Sequence, residues 1–166
     1  PEIGSSTNEI ADGIQSQSRF GIRGVERLTR DINAAFTLEG GISGDTGMSQ
    51  QSGRLFGRQA WFSLLARTGE FRLGRQYGLG YEYFLSDTSP FGTTFRDAGS
   101  GNVFSSASGR LIFDNVVMLR TGDFGGLSGA VGYSFNANGT EVAGTGNNTH
   151  VWTAGARYRT QNAYFT

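Results

Sequence analysis

Leu127-Ser128-Gly129-Ala130-Val131-Gly132-Tyr133-Ser134-Phe135 reads in two phases. One phase is Leu127, Gly129, Val131, Tyr133 and Phe135, and the other is Ser128, Ala130, Gly132 and Ser134. Period-two alternation of this kind is a β-strand with one apolar and one polar face. The polar phase consists of small residues, which leave space on their side of the strand instead of filling a dry core.

Outward from this stretch, segments 18–28, 32–42, 56–65, 70–77, 110–121 and 150–159 alternate in the same way, and Ala163-Tyr164-Phe165 starts another. Glycine interrupts almost every apolar run and helical periodicity is hard to find, so the chain reads as all-β. The connections carry more information. Thr29-Arg30-Asp31, Ala66 to Gly69, Gly122 to Gly126 and Thr160-Gln161-Asn162 are tight, whereas 43–55, 78–109 and 137–149 are long. Short and long connections therefore alternate. A soluble sandwich has no reason to gather its long loops at one end, but an outer-membrane barrel has short periplasmic turns and long outward loops. Strands of about ten residues, at roughly 3.4 Å each and a tilt of about 45°, rise roughly 24 Å, close to the apolar band of such barrels. The expected fold is a transmembrane antiparallel β-barrel.

Composition narrows the function. The chain has 166 residues, with 27 glycines, 2 prolines, no cysteine and one histidine, His150. Disulfide scaffolds, thiolate metal sites and thiol nucleophiles are excluded, and most zinc or triad chemistry lacks its ligand or base. His150 is expected to be a solvated loop residue. All 14 basic residues are arginine, balanced by 14 acids, and zero net charge argues against nucleic acid as the main partner. No run of about 18 apolar residues is present, so no transmembrane helix is expected. The aromatics sit among Leu and Val in no simple repeat, which argues against disorder.

The arginines fix the faces. Arg19, Arg23 and Arg27 oppose Phe20 and Ile22; Arg157 and Arg159 oppose Trp152, Ala154, Ala156 and Tyr158; Arg110, Asp114 and Arg120 oppose Leu111, Phe113, Val117 and Leu119. An arginine facing lipid costs roughly 2–4 kcal/mol at the bilayer midplane. Several would exceed the whole stability of an ordinary domain, about 5–15 kcal/mol, so these arginines face the lumen or an interface. In 70–77, placing Arg75 inside also places Phe71 and Leu73 inside and Arg72 outside, a pattern that calls for an internal loop over the strand or for another subunit against it. Trp61, Trp152, Tyr133, Tyr158 and Phe135 fall near strand ends, as interfacial girdles do. The connection 78–109 is too long for a turn. Its Tyr81, Tyr83, Phe84, Phe91, Phe95 and Phe104, with Asp87 and Asp97, suit a loop folded into a barrel mouth; a surface-exposed adhesive loop is the alternative.

Ser18-Arg19-Phe20-Gly21-Ile22-Arg23-Gly24, Gly53-Arg54-Leu55-Phe56-Gly57-Arg58-Gln59-Ala60, Leu73-Gly74-Arg75-Gln76-Tyr77, Ser89-Pro90-Phe91-Gly92 and Gly129-Ala130-Val131-Gly132-Tyr133-Ser134-Phe135, in this order and spacing, resemble the general diffusion porins of Gram-negative bacteria, the betaproteobacterial type most of all. The resemblance implies a sixteen-stranded barrel in the outer membrane, amid lipid and lipopolysaccharide and usually a homotrimer. This chain would be a single partial domain, 1–166, covering about strands 2–8 and the start of strand 9, roughly half a barrel. The resemblance also implies that the third external loop, 78–109, folds into the lumen as the constriction. Arg19, Arg75 and Arg110 would form its basic wall cluster, Arg58 and Arg23 would flank it, and Asp87 would face it from the loop. Enteric members carry a glutamate between the proline and phenylalanine; here Pro90 is followed directly by Phe91, and Asp97 is the candidate substitute.

The implied function is passive diffusion of small hydrophilic solutes and ions, without reaction chemistry or cofactor. Inward arginine exceeds inward acid on the clearest strands, which predicts a weak anion preference. The bland reading of the same arginines is a structural ladder neutralised by Glu39 and Asp114. A small eight-stranded barrel acting as an anchor or adhesin, and a soluble all-β binding domain, are the alternative functions.

Overall fold

In the computed structural model, residues 17–85, 111–144, 146–161 and 163–165 are described, with the side chains of 83–85 and Tyr164 excepted. They form one antiparallel sheet in strict chain order: β1 (Arg19–Arg27), β2 (Ile32–Gly41), β3 (Gln59–Ala66), β4 (Gly69–Tyr77), β5 (Ile112–Thr121), β6 (Leu127–Ser134), β7 (Val151–Arg159) and a two-residue β8 (Tyr164–Phe165). The sheet is not closed: β1 and β8 are its edges.

Side chains close the short turns. Thr29 Oγ1 accepts from the Asp31 and Ile32 amides at 3.2 and 3.1 Å, Asp123 Oδ1 from the Gly126 amide at 2.8 Å, and Thr160 Oγ1 from the Ala163 amide at 2.8 Å. Such local acceptors favour a turn over strand continuation. All the short turns lie at one end of the sheet and all the long connections at the other.

Register fixes the faces. One row runs across the sheet as Gly24, Phe36, Phe62, Leu73, Val117, Tyr133 and Trp152, and the next as Ala34, Leu64, Phe71, Leu119, Val131 and Ala154. Phe36, Phe62, Leu64, Phe71, Leu73, Leu119, Val131 and Trp152 in these rows are exposed. A continuous apolar face of this extent is not tolerated in water and suits the hydrocarbon of a bilayer, which strands can cross only with their backbone groups paired, as those of β2 to β6 are here. On the opposite face, intervening rows read Val25, Ala35, Ser63, Arg72, Met118, Gly132 and Thr153, then Arg27, Asn33, Leu65, Glu70, Arg120, Ala130 and Gly155. This is the polar inner face, with Val25, Leu65 and Met118 as the large apolar exceptions.

Three expectations are corrected. In β4 the inner residues are Glu70, Arg72 and Gln76, whereas Phe71 and Leu73 are exposed on the outer face. Arg75 still reaches polar partners because alternation breaks beside it: the register with β5 shifts between Gly74 and Gln76, Gly74 has φ 123°, and Asn115 opposite has φ 51°. The same β-bulge turns Phe113 inward, where it is buried with Leu79, Val116, Met118 and Ala137. Trp61 belongs to the inner phase and not to a lipid girdle: its ring carries the Arg72 guanidinium, 4.1 Å from the centroid. Tyr133, Phe135 and Trp152 do form an aromatic group at the long-connection end, with centroids 4.8 and 4.5 Å from Tyr133. Exposed Phe124, Leu127 and Tyr158 mark the other end.

Gly74 has a left-handed φ, and a Cβ there would strike the Ala60 carbonyl oxygen and Trp61 Cα of β3. Gly74→Ala is expected to cost about 1–3 kcal/mol, read as a lower denaturation midpoint of the full-length protein refolded into detergent.

Candidate functional site: an arginine-rich inner wall

Three groups of charge line the inner face. The first lies toward the long connections. Arg58, just before β3, is buried; its Nε donates to Glu39 Oε1 at 2.6 Å, its Nη2 to the Tyr77 hydroxyl at 2.5 Å and its Nη1 to Gln17 at 3.1 Å. Tyr77 stacks on Tyr81 with centroids 4.3 Å apart. Arg19, at the start of β1, is paired with Gly41 of β2, two residues along that strand from Glu39, the acid that holds Arg58. Arg23, two residues along the inner phase of β1, is exposed opposite Thr37.

The second group forms at the bulge. Arg75 Nη1 meets Asp114 Oδ1 at 2.6 Å while its Nε donates to the Gly57 carbonyl at 2.8 Å. Arg54 Nη1 reaches both oxygens of Asp114 at 2.9 Å, so one carboxylate serves two guanidiniums. Asn115 donates to the Asn136 carbonyl at 3.0 Å and also to the Gly139 carbonyl, tying the bulge to the connection that follows β6.

The third group is deeper and also enclosed. Arg72 forks onto Glu70, Nε to Oε1 at 2.8 Å and Nη2 to Oε2 at 3.0 Å. Arg120 Nε lies 3.8 Å from Glu70 Oε2, and Arg120 also pairs with Glu82. Farther along, Arg157 Nε donates to Ser128 Oγ at 2.9 Å.

Arg58 is thus held against Glu39 and Tyr77, Arg75 is seated in a separate group against Asp114, and Arg19 stands on the inner phase of β1. Arg110, Asp87 and Asp97 lie outside the described residues, as does most of the 78–109 connection. Glu39 and Asp114 do hold arginines, as the ladder reading requires, but not in equal number: among the described residues of this face, Arg19, Arg23, Arg27, Arg54, Arg58, Arg72, Arg75, Arg120 and Arg157 stand against Glu39, Glu70, Glu82 and Asp114. Sequence reading did not name Glu70 and Glu82, and it placed Arg72 outside. Glu70-x-Arg72 was the available signal, an opposite-charge pair two apart on one strand face, and it was masked by taking the phase of the strand from Arg75. His150 sits in the outer aromatic group, its Nδ1 2.9 Å from the Tyr133 hydroxyl.

A meander with an apolar belt outside, a surplus of arginine inside and all long connections at one end is a wall segment of a membrane β-barrel with a polar lumen. The chain matches the Gram-negative porin family over residues 3–166 and belongs to it. It is 38% identical over 157 residues to an outer membrane porin protein of Bordetella pertussis, covering 90% of this chain and 40% of that protein. With outer membrane porin protein 32 of Delftia acidovorans the identity is 33% over 144 residues, 82% of this chain and 40% of the relative. Among solved structures, an anion-selective porin from Comamonas acidovorans superposes with a TM-score of 0.57 at 25% identity, covering 88% of this chain and 44% of that one. The chain therefore spans 40% of the length of the two relatives. Its location is the outer membrane, and the family points to a channel rather than an enzyme.

Proposed function

We propose that the chain forms part of the wall of a water-filled pore through which small hydrophilic solutes and ions diffuse down their gradients, with a weak preference for anions. The observation that carries this reading is the excess of arginine over acid on the inner face. In a narrow space with low-dielectric walls, such an excess raises the local concentration of anions. The anion-selective porin from Comamonas acidovorans, similar over most of this chain, supports the same sign. Arg19, Arg75 and Arg110 are proposed to form the basic wall of the narrow part, with Arg58 and Arg23 flanking it, and the connection 78–109 with Asp87 and Asp97 is proposed to face it. The pore is proposed to work as a homotrimer within lipid and lipopolysaccharide.

The test is the zero-current potential of the full-length protein in a planar bilayer under a salt gradient. Its sign is expected to report anion preference, and a clear cation preference overturns the proposal. Replacing Arg19, Arg75 and Arg110 together by alanine is expected to raise the single-channel conductance and to shrink the potential by roughly half. Unchanged values would remove these residues from the narrowest point.

A further inference from the structure

Arg72 and Arg120 lie together on the inner face with side chains only 9% and 17% exposed, and the strands supply them with one carboxylate, Glu70. Two enclosed guanidiniums on a single carboxylate leave a positive charge withdrawn from water, an unfavourable arrangement. The second carboxylate comes from beyond the strands. Glu82 Oε1 accepts from Arg72 Nη1 at 3.1 Å, and Glu82 Oε2 pairs with Arg120 Nη2.

Glu82 belongs to the π-helical stretch Gly80–Leu85, which follows the exit of β4 at the long-connection end. Arg72 lies five residues down β4 from Tyr77, and Arg120 is paired with Glu70, seven residues down. At about 3.3 Å per residue these points are roughly 17–23 Å from the exit, more than the two side chains span between them. The chain after Tyr77 therefore turns back along the inner face. Its path is fixed at three points: Leu79 is 2% exposed against Phe113, Val116 and Met118, Tyr81 stacks on Tyr77, and Glu82 completes the ion cluster. The stacking lies at the exit and the Leu79 packing runs from there down to Met118, opposite Arg72; Glu82 reaches on to Arg120, two residues deeper, so the ion cluster is the deepest of the three contacts.

We propose that Glu82 is a positioning residue, the pin that holds the start of the 78–109 connection against the pore wall and thereby sets the bore at that level. This rests on the porin reading above. Single-channel recording of the full-length protein tests it, together with the mobility of a spin label at Gly80→Cys, which needs no conduction. With Glu82→Gln, brief excursions of the open-channel current are expected to become about tenfold more frequent, and the label at position 80 is expected to loosen.

The double variant Glu82→Gln, Arg120→Met restores charge balance, leaving Arg72 paired with Glu70, and so keeps the test valid if the single variant folds poorly. A pin predicts that the double variant stays noisy and its label mobile. A quiet double variant, with its label as still as in the parent, means that the disturbance came from an unbalanced buried charge and overturns the proposal, as does a Glu82→Gln channel and label identical to the parent. If the parent protein gives no stepwise openings the pore reading fails, and the spin label alone then decides whether Glu82 pins the segment.

Discussion

Arg72→Ala is expected to lower the unfolding free energy of the full-length protein by about 3–5 kcal/mol, the cost of removing one partner from an enclosed ion cluster. The substitution takes away both arms of the fork onto Glu70, the bond to Glu82 and the guanidinium resting on Trp61. It leaves Arg120 beside both Glu70 and Glu82. Arg72→Lys restores the charge but cannot make the two-pronged contact or the flat stacking, and is expected to recover only part of the loss. Arg23→Ala, on the exposed inner phase of β1, is expected to stay within about 0.5 kcal/mol. Urea titration of protein refolded into lipid vesicles, followed by tryptophan fluorescence, measures all three. The sign of the Arg72 effect is as informative as its size. An arginine turned to lipid would cost roughly 2–4 kcal/mol, so its removal from such a place would stabilise the barrel.

That opposition of sign marks where sequence reading stopped. Seven strands, their order and their short and long connections were legible because period-two alternation and turn residues are local signals, and local signals were not contradicted by the rest of the fold. The faces of β6 and β7 were legible for the same reason: small or polar residues at 128, 130, 132 and 134 and arginines at 157 and 159 keep one phase throughout. In β4 two arginines of opposite phase, Arg72 and Arg75, compete for one inner face, and alternation alone cannot say which is regular. The deciding element is a β-bulge in the neighbouring strand, where Asn115 adopts φ 51° and the pairing slips by one residue. An extra residue of this kind re-aims the side chains around it. Asn115 carried no sign of it that could be separated from an ordinary polar strand residue, and Phe113 was misassigned with it.

The wall charges were legible as residue types and partly as positions. Arg19, Arg23 and Arg58 could be placed inward because each follows a clean phase or a glycine-aromatic string. Their acids were harder. Glu39 and Asp114 lie on strands of their own, β2 and β5, but Glu82 approaches from a connection, and contacts between a loop and a wall leave no periodic trace. The charge partition is therefore less simple than arginine on the wall and acid in the loops. Much of the arginine is neutralised where it is enclosed, whereas Arg19, Arg23 and Arg27 stand where the wall is open, on the inner phase of β1. Screening is weakest in the enclosed sites and strongest in the open ones. The enclosed pairs accordingly govern stability, and the open arginines are the ones proposed to act on passing ions.

Leu73→Arg is expected to destabilise the folded barrel by about 2–4 kcal/mol, the cost of an arginine on the lipid face near the bilayer midplane. Leu73 sits mid-strand in β4, between Phe62 and Val117 in a row that is apolar across the sheet, and it is 39% exposed. The nearest polar partners of an arginine, Glu70 and Asp114, lie on or open toward the inner side, so the new guanidinium would have only lipid and backbone already committed to the ladder. Snorkelling to an interface is hindered from mid-strand, where both ends of the apolar belt are farthest away. Thr37→Arg supplies the matched control: it stands between Arg23 and Trp61 on the inner phase and is expected to cost no more than about 1 kcal/mol, the range for a residue that need not enter lipid. Folding yield into vesicles, read as the fraction that keeps its compact electrophoretic mobility without heating, should fall for Leu73→Arg and fall further as the acyl chains are lengthened. Ion selectivity should move toward anions for Thr37→Arg and stay at the parent value in whatever Leu73→Arg protein does fold. Equal tolerance of the two substitutions, or a selectivity change confined to Leu73→Arg, would mean that β4 presents its odd-numbered residues to the lumen after all.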